Sequence, residues 1–98
     1  MQVNQPIGRT PYAFELTTIT SAAVVRLTEA YRILYKAVFI TFEDNPIRYR
    51  IDGGDPSDAL GHPLVATQTL YLEDPQSLRE LRMIATGGDV IAQATYYK

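Results

Sequence analysis

Cysteine and tryptophan are both absent from this 98-residue sequence. Without cysteine the chain can form neither a disulfide framework nor a thiolate metal site, and this absence fits a reducing or an oxidising compartment equally well. No apolar run approaches the roughly 20 residues that a membrane-spanning helix needs, and the first residues lack the basic and apolar regions of a signal peptide. We therefore expect a soluble, unexported chain with no membrane partner.

A strongly basic charge balance is also missing. The formal net charge is −2 at pH 7, whereas nucleic-acid-binding proteins usually carry a basic patch or stripe. We expect no nucleic-acid partner, although Arg48, Arg50, Arg79 and Arg82 would form a local basic patch if their strands were neighbours.

Reactive groups are not arranged as catalysis requires. His62 is the only histidine, and without a nearby cysteine or a partnered serine it makes neither a zinc site nor a catalytic dyad. We interpret it as a loop residue. The glycine pairs 53–54 and 87–88 lack the spacing of phosphate-binding loops and are interpreted as turn glycines. The sequence thus predicts no catalytic residue, no metal site, no cofactor and no enzymatic activity.

What the chain does contain is typical of one globular domain. It is 46% hydrophobic and 20% charged, close to ordinary globular usage, and its length suits one packed core. Residues 1–11 include Pro6, Gly8 and Pro11, which disfavour a regular helix, so this segment is predicted to be an extended N-terminal arm. Residues 12–98 are predicted to form the domain.

From residue 12 onward the apolar residues follow a period near two, and β-branched and aromatic residues are frequent. This pattern favours strands. The predicted strands are residues 12–20, 23–28, 33–43, 47–51, 67–73, 81–86 and 89–97. We therefore predict an all-β antiparallel β-sandwich, immunoglobulin-like or jelly-roll-like, with seven or eight strands. Asp74 followed by Pro75 predicts a single helical turn, and a longer helix over 75–85 is the alternative.

The clearest strand signal lies at residues 47–51. Strict alternation puts Ile47, Tyr49 and Ile51 on one face and both Arg48 and Arg50 on the other, so the apolar face is expected to enter the core. Residues 44–46, Asp-Asn-Pro, have turn chemistry and predict a hairpin between this strand and the preceding one.

Asp52, Asp55 and Asp58 follow this strand at intervals of three residues. Clustered carboxylates are ligands that calcium prefers, but the spacing is not that of an EF-hand. Asp and Gly are also the residues that tight turns select. We favour the turn interpretation and keep calcium as the alternative.

Tyrosine is abundant, with seven residues in the chain, and it suits both sandwich cores and interfaces. Tyr96 and Tyr97 are adjacent in a predicted strand, so their side chains point to opposite faces, and we expect one of them to meet solvent or a partner. Tyr96, Tyr97, Arg48 and Arg50 are the predicted interface residues.

Two family resemblances appear when residues 49–57 are taken as a unit. Tyr-Arg-Ile-Asp-Gly-Gly-Asp-Pro-Ser resembles the pattern Tyr-x-x-Asp-Gly-x-Asp-Pro-Ser/Thr of the small immunoglobulin-like module at the C-terminus of chitobiases and hexosaminidases. The Ile-Ala pair at 84–85 and the closing segment 94–97 follow in the corresponding order. This resemblance concerns a turn, and it implies a fold more than a function.

The chain is also similar, over most of its length, to small uncharacterised proteins of tailed bacteriophages. The shared segments are Ile-Arg-Tyr-Arg-Ile-Asp-Gly at 47–53, Gly-His-Pro-Leu at 61–64, Leu-Tyr-Leu at 70–72, Leu-Arg-Met-Ile at 81–84 and Thr-Tyr-Tyr-Lys at 95–98. Proteins of this kind look like virion components, such as capsid decoration or cementing proteins or parts of the neck and tail.

The resemblance implies a non-enzymatic bacteriophage structural protein, made in the host cytoplasm and located in the virion. Its partners would be other virion proteins, either the major capsid protein or a neck or tail protein, and it would form a homo-oligomer. The alternative is a carbohydrate- or cell-surface-binding β-sandwich module in which exposed tyrosines stack on sugar rings. The absence of tryptophan counts against this alternative.

Overall fold

The computed structural model describes residues 10–98. In that part of the chain seven strands and two short helices follow one another. Their bounds are β1 Pro11–Ile19, α1 Glu29–Leu34, β2 Ala37–Glu43, β3 Ile47–Arg50, β4 His62–Leu64, β5 Thr69–Leu72, α2 Pro75–Glu80, β6 Arg82–Ala85 and β7 Val90–Tyr97. Neither described helix has the length and apolar character needed to cross a membrane.

The strands form two antiparallel sheets. The first sheet has four strands in the order β1-β7-β2-β5, and the second sheet has three in the order β4-β3-β6. Every strand pair within them is antiparallel. The prediction of an all-β antiparallel sandwich is confirmed, with seven strands in the described residues.

The core lies between the two sheets. Alternation along β2 turns Val38, Ile40 and Phe42 inward, and all three belong to the same buried cluster as Ile47 and Met83 from the second sheet. Because the apolar inner faces of both sheets are removed from water together, this cluster is the main source of hydrophobic stabilisation.

Helix α2 begins as its sequence predicts. The Asp74 carboxylate accepts a hydrogen bond from the Ser77 backbone N–H at 3.1 Å, and Pro75 occupies the first turn. Leu78 anchors the helix because its side chain is fully buried. The helix is longer than a single turn and shorter than the 75–85 alternative. Leu81 takes an extended conformation, and β6 then pairs with β3.

Two strand predictions need correction, and one strand was missed. Residues 23–28 form no strand, and only Val25 makes an isolated bridge, to Met83. The predicted strand 33–43 begins as the end of helix α1, and extended structure starts only after it. The short strand β4 was not predicted. Short segments such as these become strands only where a partner strand accepts their backbone hydrogen bonds, and local sequence does not contain that information.

The predicted hairpin at 44–46 is also wrong. β2 pairs with β5 and β7, whereas β3 pairs with β4 and β6, so this turn carries the chain from one sheet to the other. Asp44 has φ 83°, in the left-handed region that aspartate tolerates better than most residues. The turn chemistry was therefore recognised, but its topological role was not.

The predicted N-terminal arm, residues 1–11, falls outside the described residues up to position 9. Pro11 is already the first residue of β1 and pairs with Tyr97. The described domain therefore starts no later than Pro11.

Candidate interaction surfaces

Strand β3 presents its two faces as predicted. Ile47 is buried, and Tyr49 and Ile51 pack against the main core. On the other face Arg48 donates from Nη1 to the Gly61 carbonyl oxygen at 2.7 Å. This face therefore supports the segment that follows β3, residues 51–61, which we call the Asp-Gly loop.

Arg50 holds the same loop. Its Nε and Nη2 donate to the two carboxylate oxygens of Asp52 at 3.0 and 2.7 Å, and Nη1 donates to the Asp55 carbonyl oxygen at 3.3 Å. Such two-point guanidinium–carboxylate contacts fix geometry as well as charge. Both predicted interface arginines are thus engaged with their own chain.

The Arg50 hydrogen bond, reinforced by the Gly54 backbone N–H, lowers the pKa of the Asp52 carboxyl to about 2. A depressed folded-state pKa favours folding at pH values above the unfolded pKa of 3.8, and this contribution is lost as the pH falls toward 2. At neutral pH the loop therefore keeps its ion pair.

Of the three aspartates, Asp52 and Asp55 make turn and ion-pair contacts, and Asp58 is exposed. Asp52 accepts from Gly54 N–H at 3.2 Å, closing a turn on its own backbone, and Asp55 pairs with Arg82 at 2.8 Å. Within residues 10–98 no group of three or more His, Cys, Asp or Glu is arranged to hold a metal ion. The described contacts of Asp52 and Asp55 are those expected of turn residues.

His62 lies in β4 rather than in a loop. It is exposed and its ring lies 5.4 Å from that of Tyr49, its partner across the strand pair. Its environment is that of an edge-strand residue next to an aromatic ring.

Gly61 closes the Asp-Gly loop in a conformation that only glycine adopts readily. Its φ is +124°, and an added Cβ would lie 3.1 Å from the Tyr49 carbonyl oxygen. We expect Gly61→Ala to lower the free energy of unfolding by about 1–3 kcal/mol, measured by urea denaturation. The matched control is Gly87→Ala, because Gly87 has no described atom within 4 Å of an added Cβ. An equal loss in both variants would contradict this explanation.

The tyrosines at the end of β7 are both buried. Tyr96 is 0% exposed and Tyr97 is 6% exposed, so the expectation that one of them meets solvent is wrong. The Tyr96 ring lies 4.9 Å from the Tyr31 ring, and Tyr97 clusters with Ala37 and Phe39 on the other face of the first sheet. Neither ring is available as an exposed anchor for a partner.

A partly buried hydrogen-bond network ties Tyr96 to strand β1. Its hydroxyl donates to Glu15 Oε1 at 2.6 Å, and Glu15 Oε2 accepts from the Thr28 hydroxyl at 2.5 Å. Burial, with this contact to Glu15, raises the pKa of Tyr96 well above its usual 10.0. The network explains how a charged residue in β1 can point toward the interior, since its carboxylate is satisfied there.

The exposed apolar residues of the first sheet lie on β1 and at the start of β7, not at Tyr96 and Tyr97. Phe14 and Leu16 of β1 are 58% and 64% exposed, and Ile91 of β7 is also exposed. Leu16 pairs with Gln93, and Thr18 pairs with Ile91, so the three apolar side chains share one face of neighbouring strands. We call this set, Phe14, Leu16 and Ile91, the outer apolar face.

The outer apolar face lies at a sheet edge, and the Glu43 carboxylate of β2 borders it, because Glu43 pairs with Ile91 and accepts from Gln93 Nε2. The outward positions 14, 16 and 18 of β1 and 91, 93, 95 and 97 of β7 carry no ionised side chain at neutral pH. Among the described residues, β1 pairs with β7 alone. Strand β1 therefore combines exposed apolar side chains with backbone groups that no neighbouring described strand pairs on one side.

Sequence reasoning missed this face. The alternation of Phe14 and Leu16 with Ala13, Glu15 and Thr17 predicts two faces for β1, but it does not say which one enters the core. The usual expectation puts the apolar set inside. Here that set points outward, and the Glu15 side chain on the opposite face accepts hydrogen bonds from Tyr96 and Thr28.

The described residues enclose no pocket. Comparison of the chain with protein-family models, with curated proteins and with solved structures gave no match in any of the three.

Proposed function

We propose that this protein is a non-enzymatic structural component of a bacteriophage virion, a capsid decoration or stabilising protein that adheres to the shell through the outer apolar face. The observation that carries the proposal is the exposure of Phe14 and Leu16 on an edge strand. The resemblance of residues 47–98 to small tailed-phage proteins supports the virion as its location.

The chemistry of the outer apolar face suits protein adhesion. Burying apolar surface against a partner is favourable by roughly 25 cal/mol per Å² of area removed from water. The centres of protein interfaces are depleted in charge, as this face is. An edge strand can also offer its free N–H and C=O groups to a strand of the partner.

The face is built on a strand whose backbone is already paired. β1 is aligned with β7 from Pro11 to Ile19, and Glu15 links it to Thr28 and Tyr96. A preorganised surface loses less conformational freedom on association than a loop does. The loss of conformational entropy therefore opposes binding less than it would for a flexible contact.

We place the contact on this face rather than at Arg48 and Arg50. Both guanidinium groups already donate to the Asp-Gly loop. A partner that recruited them would have to replace those hydrogen bonds. Phe14 and Leu16 have no hydrogen bonds of their side chains to lose on binding, and the one bordering carboxylate, Glu43, lies beside Ile91 on the far side of β7.

The double variant Phe14→Lys/Leu16→Lys tests this assignment. Two ammonium groups in the contact would have to lose their hydration on binding, so we expect at least a hundredfold loss of affinity for shells that lack the protein. The measurement is co-sedimentation of purified protein with such shells. Because both side chains are exposed, the variant is expected to fold normally.

The matched control is Leu60→Lys/Val65→Lys, which changes two exposed apolar residues outside the first sheet by the same charge. It should bind like the unaltered protein. Mass spectrometry of purified virions of the encoding phage should also detect the chain. Absence of the chain from virions would refute the proposed location, and equal binding by both double variants would refute the proposed face.

A further inference from the structure

We propose that Arg26 and Arg32 form a carboxylate-recognition site that binds an acidic segment of a partner protein. The two residues, which we call the arginine pair, lie outside both sheets, one before helix α1 and one within it. The site is separate from the outer apolar face. It adds charge recognition to the adhesive function proposed above.

One backbone oxygen brings the two guanidinium groups together. Arg26 Nη2 donates to the Arg79 carbonyl oxygen at 2.5 Å, and Arg32 Nη1 approaches the same oxygen at 3.4 Å. Arg32 is held in addition by its Nε, which donates to the Leu27 carbonyl oxygen at 2.7 Å. Arg79 lies in the last turn of α2, where carbonyl groups lack partners within the helix.

Within residues 10–98 neither member of the arginine pair has a described ion-pair partner, although Glu80 and Glu29 lie close enough to act on Arg26. The ion pairs described there join Arg50 to Asp52 and Arg82 to Asp55, and neither involves the arginine pair. The pKa of Arg26 is lowered by desolvation and then by the neighbouring charges of Arg32 and Arg82. Like charges are therefore concentrated here, and a bound anion would offset their repulsion.

The remaining donors fit a carboxylate. Each guanidinium carries five N–H donors, and the contacts described for the arginine pair use one from Arg26 and two from Arg32. The fork geometry of the free N–H groups matches the two oxygens of a carboxylate. Arg32 is half-buried and tethered at two points, so part of the ordering cost is already met.

An acidic protein segment fits this site better than nucleic acid does. The chain carries a net charge of −2, and Glu29 and Glu80 lie close enough to influence the charge of Arg26. A long polyanion would place many negative charges against these glutamates and against the net negative chain, whereas a short segment with one or two carboxylates would place few. Nucleic-acid affinity also depends on many phosphate contacts in a row.

The test uses fluorescence anisotropy with a labelled hexaglutamate peptide as the probe, at low and at high salt. We expect salt-sensitive binding to the unaltered protein and about a tenfold or larger loss in Arg26→Gln and in Arg32→Gln. Lys36→Gln is the matched control because it removes the same charge from an exposed position that follows α1. It should bind the peptide within about twofold of the unaltered protein.

Arg26 is exposed, so Arg26→Gln keeps the test valid even if Arg32→Gln were to unfold. The proposal is overturned if the unaltered protein fails to bind the peptide, if Arg26→Gln binds it equally well, or if a single-stranded oligothymidylate binds more tightly than the peptide. The assay contains no virion and alters neither Phe14 nor Leu16. Its failure would leave the proposed function standing.

Discussion

Tyr96→Ala is expected to lower the free energy of unfolding by about 3–5 kcal/mol, the range measured when a large buried aromatic side chain is truncated to alanine. Tyr96 is 0% exposed, and its ring lies 4.9 and 5.7 Å from the rings of Tyr31 and Tyr35. Truncation would leave a void beneath both rings and remove the hydroxyl bound to Glu15. Since small domains are stable by only about 5–15 kcal/mol, urea denaturation should show a much lower midpoint.

Tyr96→Phe separates the ring from the hydroxyl. This variant keeps the packed ring and loses the hydrogen bond to the Glu15 carboxylate, so we expect a smaller cost of about 1–3 kcal/mol. Thr28 still donates to Glu15 in this variant. A loss as large as that of Tyr96→Ala would mean that the hydroxyl, and not the ring, dominates the contribution of Tyr96.

Tyr96→Phe and the unaltered protein should also differ in how their stability changes in alkaline solution. The pKa of Tyr96 is raised in the folded chain, while the unfolded chain ionises near 10.0. The contribution of this group is therefore complete below pH 10 and is lost as the pH rises above that value, because only the unfolded state releases its proton there. Tyr96→Phe should show a shallower loss of stability above pH 10 than the unaltered protein. Identical slopes would contradict the buried, neutral hydroxyl.

Ile40→Ala is expected to cost about 2–5 kcal/mol. Ile40 is fully buried at the centre of β2, where it pairs with Leu70 on β5 and Ala94 on β7. Its removal would open a cavity between the two sheets. The neighbouring strands β5 and β7 are fixed by their pairing with β2, so they cannot easily close that cavity. Thermal denaturation followed by circular dichroism would measure the loss.

Thr41→Ala is the matched control for Ile40→Ala. Thr41 is the next residue along β2, points to the opposite face and is half-buried. We expect its substitution to cost no more than about 1 kcal/mol, the span of intrinsic strand preferences. Similar losses in the two variants would show that the inner and outer faces of β2 have been assigned the wrong way round.

Most of the strands could be predicted because their signal is local. Residues 47–51 and 89–97 alternate with the two-residue period of a strand, and β3 and β7 occupy nearly the predicted ranges. The same holds for the start of α2, where Asp74 and Pro75 carry the helix signal. These predictions depended only on neighbours in the sequence.

The wrong hairpin and strand predictions have a common cause, which is that strand pairing depends on residues far apart in the sequence. The turn at 44–46 was recognised, but whether it closes a hairpin depends on which strands lie beside β2 and β3. Residues 23–28 have strand-like composition, but only Val25 finds a partner, Met83, far along the chain. Strand pairing is a long-range choice, and residue preferences cannot make it.

The candidate surfaces were even less accessible to sequence reasoning. The arginine pair is brought together by an oxygen of Arg79, which is 53 residues from Arg26 and 47 from Arg32. Arg48 and Arg50 were visible in the sequence, but their engagement with the Asp-Gly loop was not. Adjacent tyrosines predicted one exposed ring, whereas both faces of β7 are covered at its C-terminal end.

By itself the sequence determined the fold class, the turn chemistry and most strand positions, because these follow from periodicity and from the conformational preferences of Gly, Pro and Asp. Only the tertiary structure decided which face of β1 points outward and which of the arginines in residues 10–98 lack an ion-pair partner there. Those outcomes depend on contacts between distant segments, such as the Tyr96 hydroxyl on Glu15. Hydrophobic alternation assigns two faces to a strand, but which face is covered depends on the elements that pack against it.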